Sequence, residues 1–120
     1  MVSRKKQETE ELLRREISSI ILRELKDPRL GFVTLTRVLL GGDYKTAKVF
    51  VMTKGTEAER ENTLLALSHA RGKVQALVAE RIKMRNTPVM TFLEDEEVRR
   101  ALRVDRLIDE VKQDEDQVDE

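Results

Sequence analysis

The sequence predicts a single α+β domain in which a three-stranded sheet packs on helices. Its 120 residues suit one domain with one hydrophobic core. Two stretches carry apolar residues at helical spacings of three and four, and three shorter stretches are rich in apolar and β-branched residues. The predicted order of elements is α-β-β-α-α-β, followed by an acidic C-terminal extension.

The first predicted helix covers residues 7–26. Its apolar residues form one stripe opposite charged residues. We expect the helix to end at Asp27-Pro28, because proline moves the residue before it out of the α conformation. The stripe consists of Leu13, Ile17, Ile20, Ile21 and Leu25.

Two strands follow as a predicted hairpin. In residues 32–40 the apolar alternation changes face between Leu35 and Val38, which predicts a bulge or a bend. After a turn at 41–44, residues 46–53 alternate again. The short connection predicts an antiparallel pair.

A second helical stretch runs from the capping-box pattern at Thr56 and Glu59 to Lys83. Gly72 lies inside it and predicts a kink at that residue, since glycine is a poor helix former. Pro88 ends the helical stretch, and a third strand is predicted over 89–93.

The C-terminal part of the chain differs in composition from the rest. We expect residues 1–93 to form the folded domain and residues 94–120 an acidic extension, with a short helix followed by a disordered tail. The helix is suggested by one more apolar series at helical spacing. That series is Val98, Leu102, Leu107, Ile108 and Val111.

Charge divides along the same line. Residues 1–92 hold 18 Lys and Arg against 11 Asp and Glu, whereas residues 93–120 hold 5 against 12, so a net charge of zero hides +7 and −7. A basic body suits a polyanionic partner such as nucleic acid, although the charges can also serve solubility alone.

The residues needed for catalysis are scarce. The chain has no cysteine, a single histidine (His69, within a predicted helix) and no glycine-rich phosphate loop. The carboxylates of residues 94–97 are expected to be a solvated run and not a metal site. We therefore expect that the protein is not an enzyme and needs no cofactor or metal.

No apolar run is long enough to span a bilayer, so we expect a cytoplasmic protein. We also expect a monomer.

The candidate RNA-binding residues are basic and cluster on the second arm of the kinked helix and on the hairpin. Gly72 would let a partner's backbone approach closely, and the N-terminus of the third helix would favour a phosphate. The segment Arg4-Lys5-Lys6 could extend this surface. In the alternative interpretation these are ordinary helix-surface cations paired with neighbours such as Glu80. The candidates are Arg71, Gly72, Lys73, Arg81, Lys83 and Arg85, then Lys45 and Lys48.

The order of elements resembles the type II KH domain, a module that binds single-stranded RNA. The usual GxxG loop is missing, and Ala70-Arg71-Gly72 stands in its place inside a helix. A KH-like domain with this Ala-x-Gly motif in an interrupted helix resembles the members of the ribosome-binding factor A family. The segments 23–31 (RELKDPRLG), 47–51 (AKVFV), 85–92 (RNTPVMTF) and 103–108 (RVDRLI) also resemble the family. Asp43-Tyr44 and the acidic run after Leu93 depart from its usual pattern.

This resemblance implies a ribosome biogenesis factor that binds the free or immature small ribosomal subunit and its ribosomal RNA. It also implies assistance in late RNA maturation and a link to growth in the cold. Phe32, Phe50 and Phe92 fall on predicted strands, so we expect them in the core and expect phosphate and shape contacts to dominate over base stacking.

Two other classes of function stay open at this stage. One is a general KH-like protein that binds single-stranded RNA. The other is a protein-interaction module, in which the acidic tail could cover the basic face until RNA displaces it. A nuclease using the carboxylate run is the least favoured.

Overall fold

The structure, a computed structural model, describes residues 3–103 and contains the elements in the predicted order. A fourth helix, α4, occupies residues 96–103. Among the described residues, none of the helices combines the length and the apolar character needed to cross a bilayer. The elements are α1 (Arg4–Glu24), β1 (Val33–Leu40), β2 (Thr46–Thr53), α2 (Glu57–His69), α3 (Arg71–Arg81) and β3 (Val89–Glu94).

Helix α1 is longer at its start than the sequence predicts. The Ser3 hydroxyl accepts a hydrogen bond from the Lys6 amide and caps the helix, so residues 4–6 form its first turn. The predicted apolar stripe is confirmed up to Ile21, and Leu13, Ile17 and Ile20 are fully buried. The helix ends at Glu24, before the predicted stop at Asp27-Pro28.

Strands β1 and β2 form the predicted antiparallel hairpin. Their register shifts between Leu35 and Arg37, which makes Thr36 the extra residue of a β-bulge and confirms the predicted irregularity. The connecting turn is closed by the Gly41 amide, which donates to the Thr46 carbonyl at 2.8 Å.

Strand β3 pairs with β2 in parallel, giving the sheet order β1-β2-β3. The helices cover one face of this sheet, where Val49, Val51 and Met90 are fully buried in the core. On the opposite face the burial pattern is more open, and Leu39 and Val89 are 41% and 49% exposed.

One aromatic residue departs from its expected place. Phe32 lies just before β1 and its side chain is 65% exposed, with Lys54 Nζ 6.0 Å from the ring centroid. Phe50 and Phe92 are partly buried on strands. The expectation of three core phenylalanines is confirmed only for Phe92, which packs against the core. It is wrong for Phe32, because the strand begins one residue later, and for Phe50, because its neighbours Val49 and Val51 face the core and Phe50 faces the other side of the sheet.

The break between α2 and α3 also differs in position. The capping box at Thr56 and Glu59 is confirmed, but α2 ends at His69 and α3 begins at Arg71. The interruption therefore falls at Ala70 (φ −83°, ψ −1°), whereas Gly72 is the second residue of α3. Ala70 packs against the core, so tertiary packing determines where the helix breaks. The low helix propensity of glycine does not determine it.

The start of the acidic run belongs to the folded domain. Asp95 is 1% exposed, accepts hydrogen bonds from the Thr36 hydroxyl (2.5 Å) and the Val98 amide (3.3 Å), and faces the Arg37 guanidinium at 3.3 Å. The Glu94 carboxylate accepts from the Thr53 hydroxyl. The expected solvated run is thus wrong for these two residues, because β3 carries them into contact with the sheet.

The rest of the predicted extension is described only in part. Residues 96–103 of the predicted extension are helical. Leu107, Ile108 and Val111, and the predicted disorder of the tail, lie outside the described residues.

Asp95 provides a stability prediction. Burial raises the pKa of this carboxyl, but the Thr36, Val98 and Arg37 contacts outweigh burial and hold the pKa below its ordinary value of 3.8. Asp95→Ala should lower the free energy of unfolding at pH 7 by about 2 kcal/mol, measured by urea denaturation. Glu97→Ala is the control, since its side chain is 79% exposed, and should change it by less than about 0.5 kcal/mol.

The same substitution predicts a pH dependence. Because the folded pKa of Asp95 is depressed, its contribution is complete above about pH 4 and is lost as the pH falls through the folded value. The difference between wild type and Asp95→Ala should therefore shrink in acid. A difference that is constant with pH would contradict this account of Asp95.

Candidate nucleic-acid interface

Four cationic side chains surround one surface cleft of about 830 Å³. The cleft lies between the start of α1, the turn from β1 to β2 and the loop from α3 to β3. Lys5, Lys45, Lys83 and Arg85 line it, and none of them has a carboxylate within salt-bridge distance among residues 3–103. We call this surface the basic cleft.

The backbone of the turn and of β3 positions these cations. The Lys45 carbonyl accepts a hydrogen bond from the Val89 amide at 2.9 Å, which joins the start of β3 to the start of β2. The Asp43 carboxylate accepts a hydrogen bond from the Lys45 amide at 3.0 Å and so stabilises the turn. Three predicted site residues, Lys45, Lys83 and Arg85, are thereby brought together.

Lys5 and Tyr44 also line the cleft. The sequence predicts Lys5 only as part of an N-terminal extension of the basic surface, and the structure places it in the first turn of α1. Tyr44 departs from the family pattern and is not among the predicted site residues. Its left-handed backbone, with φ of 62°, has no signal in the sequence, because the turn favours glycine or asparagine there.

Arg71 and Gly72 lie at the other end of α3, about 16 Å away along the helix axis. Both are exposed, and a Cβ added at Gly72 would meet nothing within 4 Å. No side chain caps the N-terminus of α3 at Ala70. The predicted kink motif therefore presents open backbone and one cation, separate from the basic cleft.

Lys73 and Arg81 are engaged within the fold. Lys73 Nζ donates to the Glu24 carbonyl at 2.9 Å. The Arg81 guanidinium lies 3.6 Å from the Glu16 carboxylate and 3.4 Å from that of Glu24. The interpretation as paired surface cations fits these two residues, but their partners are on α1 and not the predicted neighbour Glu80.

Lys48 stands apart from the other candidates. It is an exposed residue of β2, and its neighbours Ala47 and Val49 are buried against the helices. Since side chains alternate along a strand, Lys48 projects from the opposite, open face of the sheet. The structure does not bring it to the basic cleft.

His69, the single histidine, has a structural contact. It is the last residue of α2, and its Nδ1 lies 3.0 Å from Arg29 Nη2. Arg29 also donates hydrogen bonds to the Asp27 carboxylate from its side chain and its backbone amide. These Arg29–Asp27 hydrogen bonds lower the pKa of Asp27 to about 2. These contacts connect the loop after α1 to the helix break.

No group of three or more acidic or histidine ligands able to hold a metal ion occurs within residues 3–103.

The fold and the site together define a class. A three-stranded sheet in the order β1-β2-β3, helices on one face and a cationic cleft at the start of the parallel strands make this a small KH-like domain with a surface suited to phosphates.

The comparisons with known proteins identify the family within this class. Residues 5–108 match the family described as ribosome-binding factor A. The chain is 43% identical over 106 residues to the ribosome-binding factor A of Halothermothrix orenii, an alignment that covers 88% of this chain and 87% of that protein. The protein belongs to the ribosome-binding factor A family.

Solved structures agree with this assignment. The crystal structure of ribosome-binding factor A from Thermus thermophilus superposes with a TM-score of 0.68 at 35% identity, over 74% of this chain and 93% of the other. A homology model of the Thermus thermophilus factor, fitted into the cryo-EM map of its complex with the 30S subunit, superposes with a TM-score of 0.63 at 35% identity, with the same coverage.

The two groups of cations should respond differently to charge reversal. Arg81→Glu would face Glu16 and Glu24, so we expect it to lower the free energy of unfolding by about 1 kcal/mol. Lys83→Glu, at an exposed site, should change it by less than about 0.5 kcal/mol. Urea denaturation of both variants measures the difference. Equal losses would show that Lys83 also contributes to the fold.

Proposed function

We propose that this protein is a ribosome biogenesis factor that binds the free or immature small ribosomal subunit through its ribosomal RNA and assists late maturation of that RNA. The observation that carries the proposal is the basic cleft, in which four cations lack carboxylate partners among residues 3–103. Its support from relatives is the 30S complex of the Thermus thermophilus factor.

The cations suit phosphate binding for a physical reason. A cation already paired within the protein must give up that pair to bind a phosphate, whereas Lys45, Lys83 and Arg85 need only release solvent. Each phosphate neutralised also releases condensed counterions, which supplies affinity that falls with salt. Arg71, Gly72 and the N-terminus of α3 form a second contact in this proposal, and Lys48 an outlying one.

The proposed mechanism needs no catalysis and no cofactor. A protein that binds one arrangement of the RNA more tightly than another shifts the folding equilibrium toward the first by the difference in affinity. No bond is broken in this step. The expected role in growth in the cold rests on the family resemblance, and the expected cytoplasmic location rests on the apolar pattern of the sequence. Both, with the expected monomeric state, remain part of the proposal.

A general single-stranded RNA-binding protein is the second candidate. The exposed Phe32 ring favours it, because an aromatic side chain beside a lysine is a surface on which an unpaired base can stack. This role would require no intact subunit, so particle selectivity separates the two candidates.

Co-sedimentation tests the proposal. Wild type is mixed with free small subunits, free large subunits or assembled ribosomes at moderate salt. We expect it to travel selectively with free small subunits. Lys83→Glu with Arg85→Glu should abolish most of this binding and lower the slope of log affinity against log salt by about 1 to 2.

The matched control is Arg100→Glu with Arg103→Glu, which changes the charge equally at exposed residues of α4. It should bind like the wild type. Equal binding of wild type to all particles would favour the general RNA-binding role. Equal loss in both double variants would mean that overall charge, and not the basic cleft, governs binding.

A further inference from the structure

The basic cleft contains an apolar surface that phosphate binding does not require. Leu12 is 39% exposed there, and Tyr44, Ile82 and Met84 also line it. Four cations and the Asp43 carboxylate line the same cleft. Tyr44 and Met84 are partly buried against the core, and with the exposed Leu12 they give the cleft apolar side chains that phosphates do not need, since phosphates bind cations and amides.

Tyr44 is held in the cleft by an unfavourable backbone conformation. Its φ of 62° lies in the left-handed region, which a bulky side chain rarely adopts. The Tyr44 amide donates to the Gly41 carbonyl at 3.1 Å, so a glycine would serve the turn equally well. The turn thus carries a half-buried aromatic ring where backbone geometry favours none, and such outliers cluster at ligand sites.

We propose that the cleft binds one unstacked nucleotide of single-stranded RNA, with its base against Tyr44, Leu12 and Met84. Lys45, Lys83 and Arg85 hold the adjacent phosphates. A volume of about 830 Å³ lies within the range of small-molecule sites and accommodates a nucleotide. This inference rests on the proposed function and adds to it a defined RNA feature, an unpaired base.

The chemistry of the lining favours a nucleotide over a simple anion. Unpaired RNA bases are commonly recognised by stacking on aromatic rings and by hydrogen bonds to their edges. Tyr44 supplies the ring, and Asn86 and Thr9 in the same cleft supply donors and acceptors for base edges. In a duplex the bases are already stacked, so the same cleft would meet only its backbone.

Tyr44→Gly tests the inference without harming the turn, because glycine tolerates the left-handed backbone. The full chain is titrated by fluorescence anisotropy with two probes. One is a short single-stranded RNA of mixed sequence, and the other is the same backbone with abasic sites. Tyr44→Gly should weaken binding of the intact RNA about tenfold and leave binding of the abasic RNA unchanged.

Two further variants serve as controls. Tyr44→Phe keeps the ring and should bind both probes like the wild type. Lys83→Glu with Arg85→Glu should weaken both probes, since each carries the phosphates. Tyr44 packs against the core, so Tyr44→Gly should lower the urea midpoint somewhat, and a single cooperative transition confirms that the fold is intact.

Unchanged binding of the intact RNA by Tyr44→Gly would overturn the inference. An equal loss for both probes, or a wild type that binds neither, would also overturn it. Co-sedimentation of the wild type with free small subunits keeps the proposed function separate. Selective subunit binding with no effect of Tyr44→Gly would leave the proposed function standing, whereas no subunit binding would remove it.

Discussion

The parallel pairing of β3 with β2 is the constraint on which the rest of this structure depends. It places Val89 beside Thr46 at one end of the sheet and Glu94 beside Val51 at the other. A parallel connection needs a long crossover, and α2 and α3 provide it. Because of this pairing, the loop that carries Lys83 and Arg85 returns to the turn that carries Lys45. An antiparallel β3 would have placed that loop at the opposite end.

The same pairing places carboxylates at one end of the parallel strands and the cations of the basic cleft at the other. Glu94 ends β3 and Asp95 follows it, and their carboxylates pair with Arg99 and Arg37. Arg81 and Lys73 are likewise engaged by α1. The cations at the start of the strands lack such partners within residues 3–103 and retain their charge for a ligand. The net charge of zero therefore says little about what this protein can bind.

The sequence predicted the elements that depend on local patterns. The stripe of α1, the bulge near Leu35, the capping box at Thr56 and the hairpin all follow from residues close in the chain. The parallel partner of β3, the break at Ala70 and the burial of Asp95 depend on contacts between distant residues. No local pattern encodes those contacts, so the sequence alone does not predict them.

The spatial grouping of the candidate site residues could not be predicted for the same reason. Position in the chain groups Arg71 with Arg85, although the 11-residue helix α3, about 16 Å long, lies between them. It also does not distinguish a cation held by α1, such as Arg81, from one without a salt bridge within residues 3–103, such as Lys83. The family resemblance supplied the class of partner but not the residues that meet it.

Site-specific photocrosslinking tests the central claim most directly. The chain has no cysteine, so Lys45→Cys and Arg100→Cys each give one thiol for a photoreactive label. Both labelled chains are bound to free small subunits and irradiated. We expect crosslinks to ribosomal RNA from position 45 and few from position 100. Equal crosslinking from both positions, or crosslinks from position 100 alone, would contradict the assignment of the basic cleft as the RNA-binding surface.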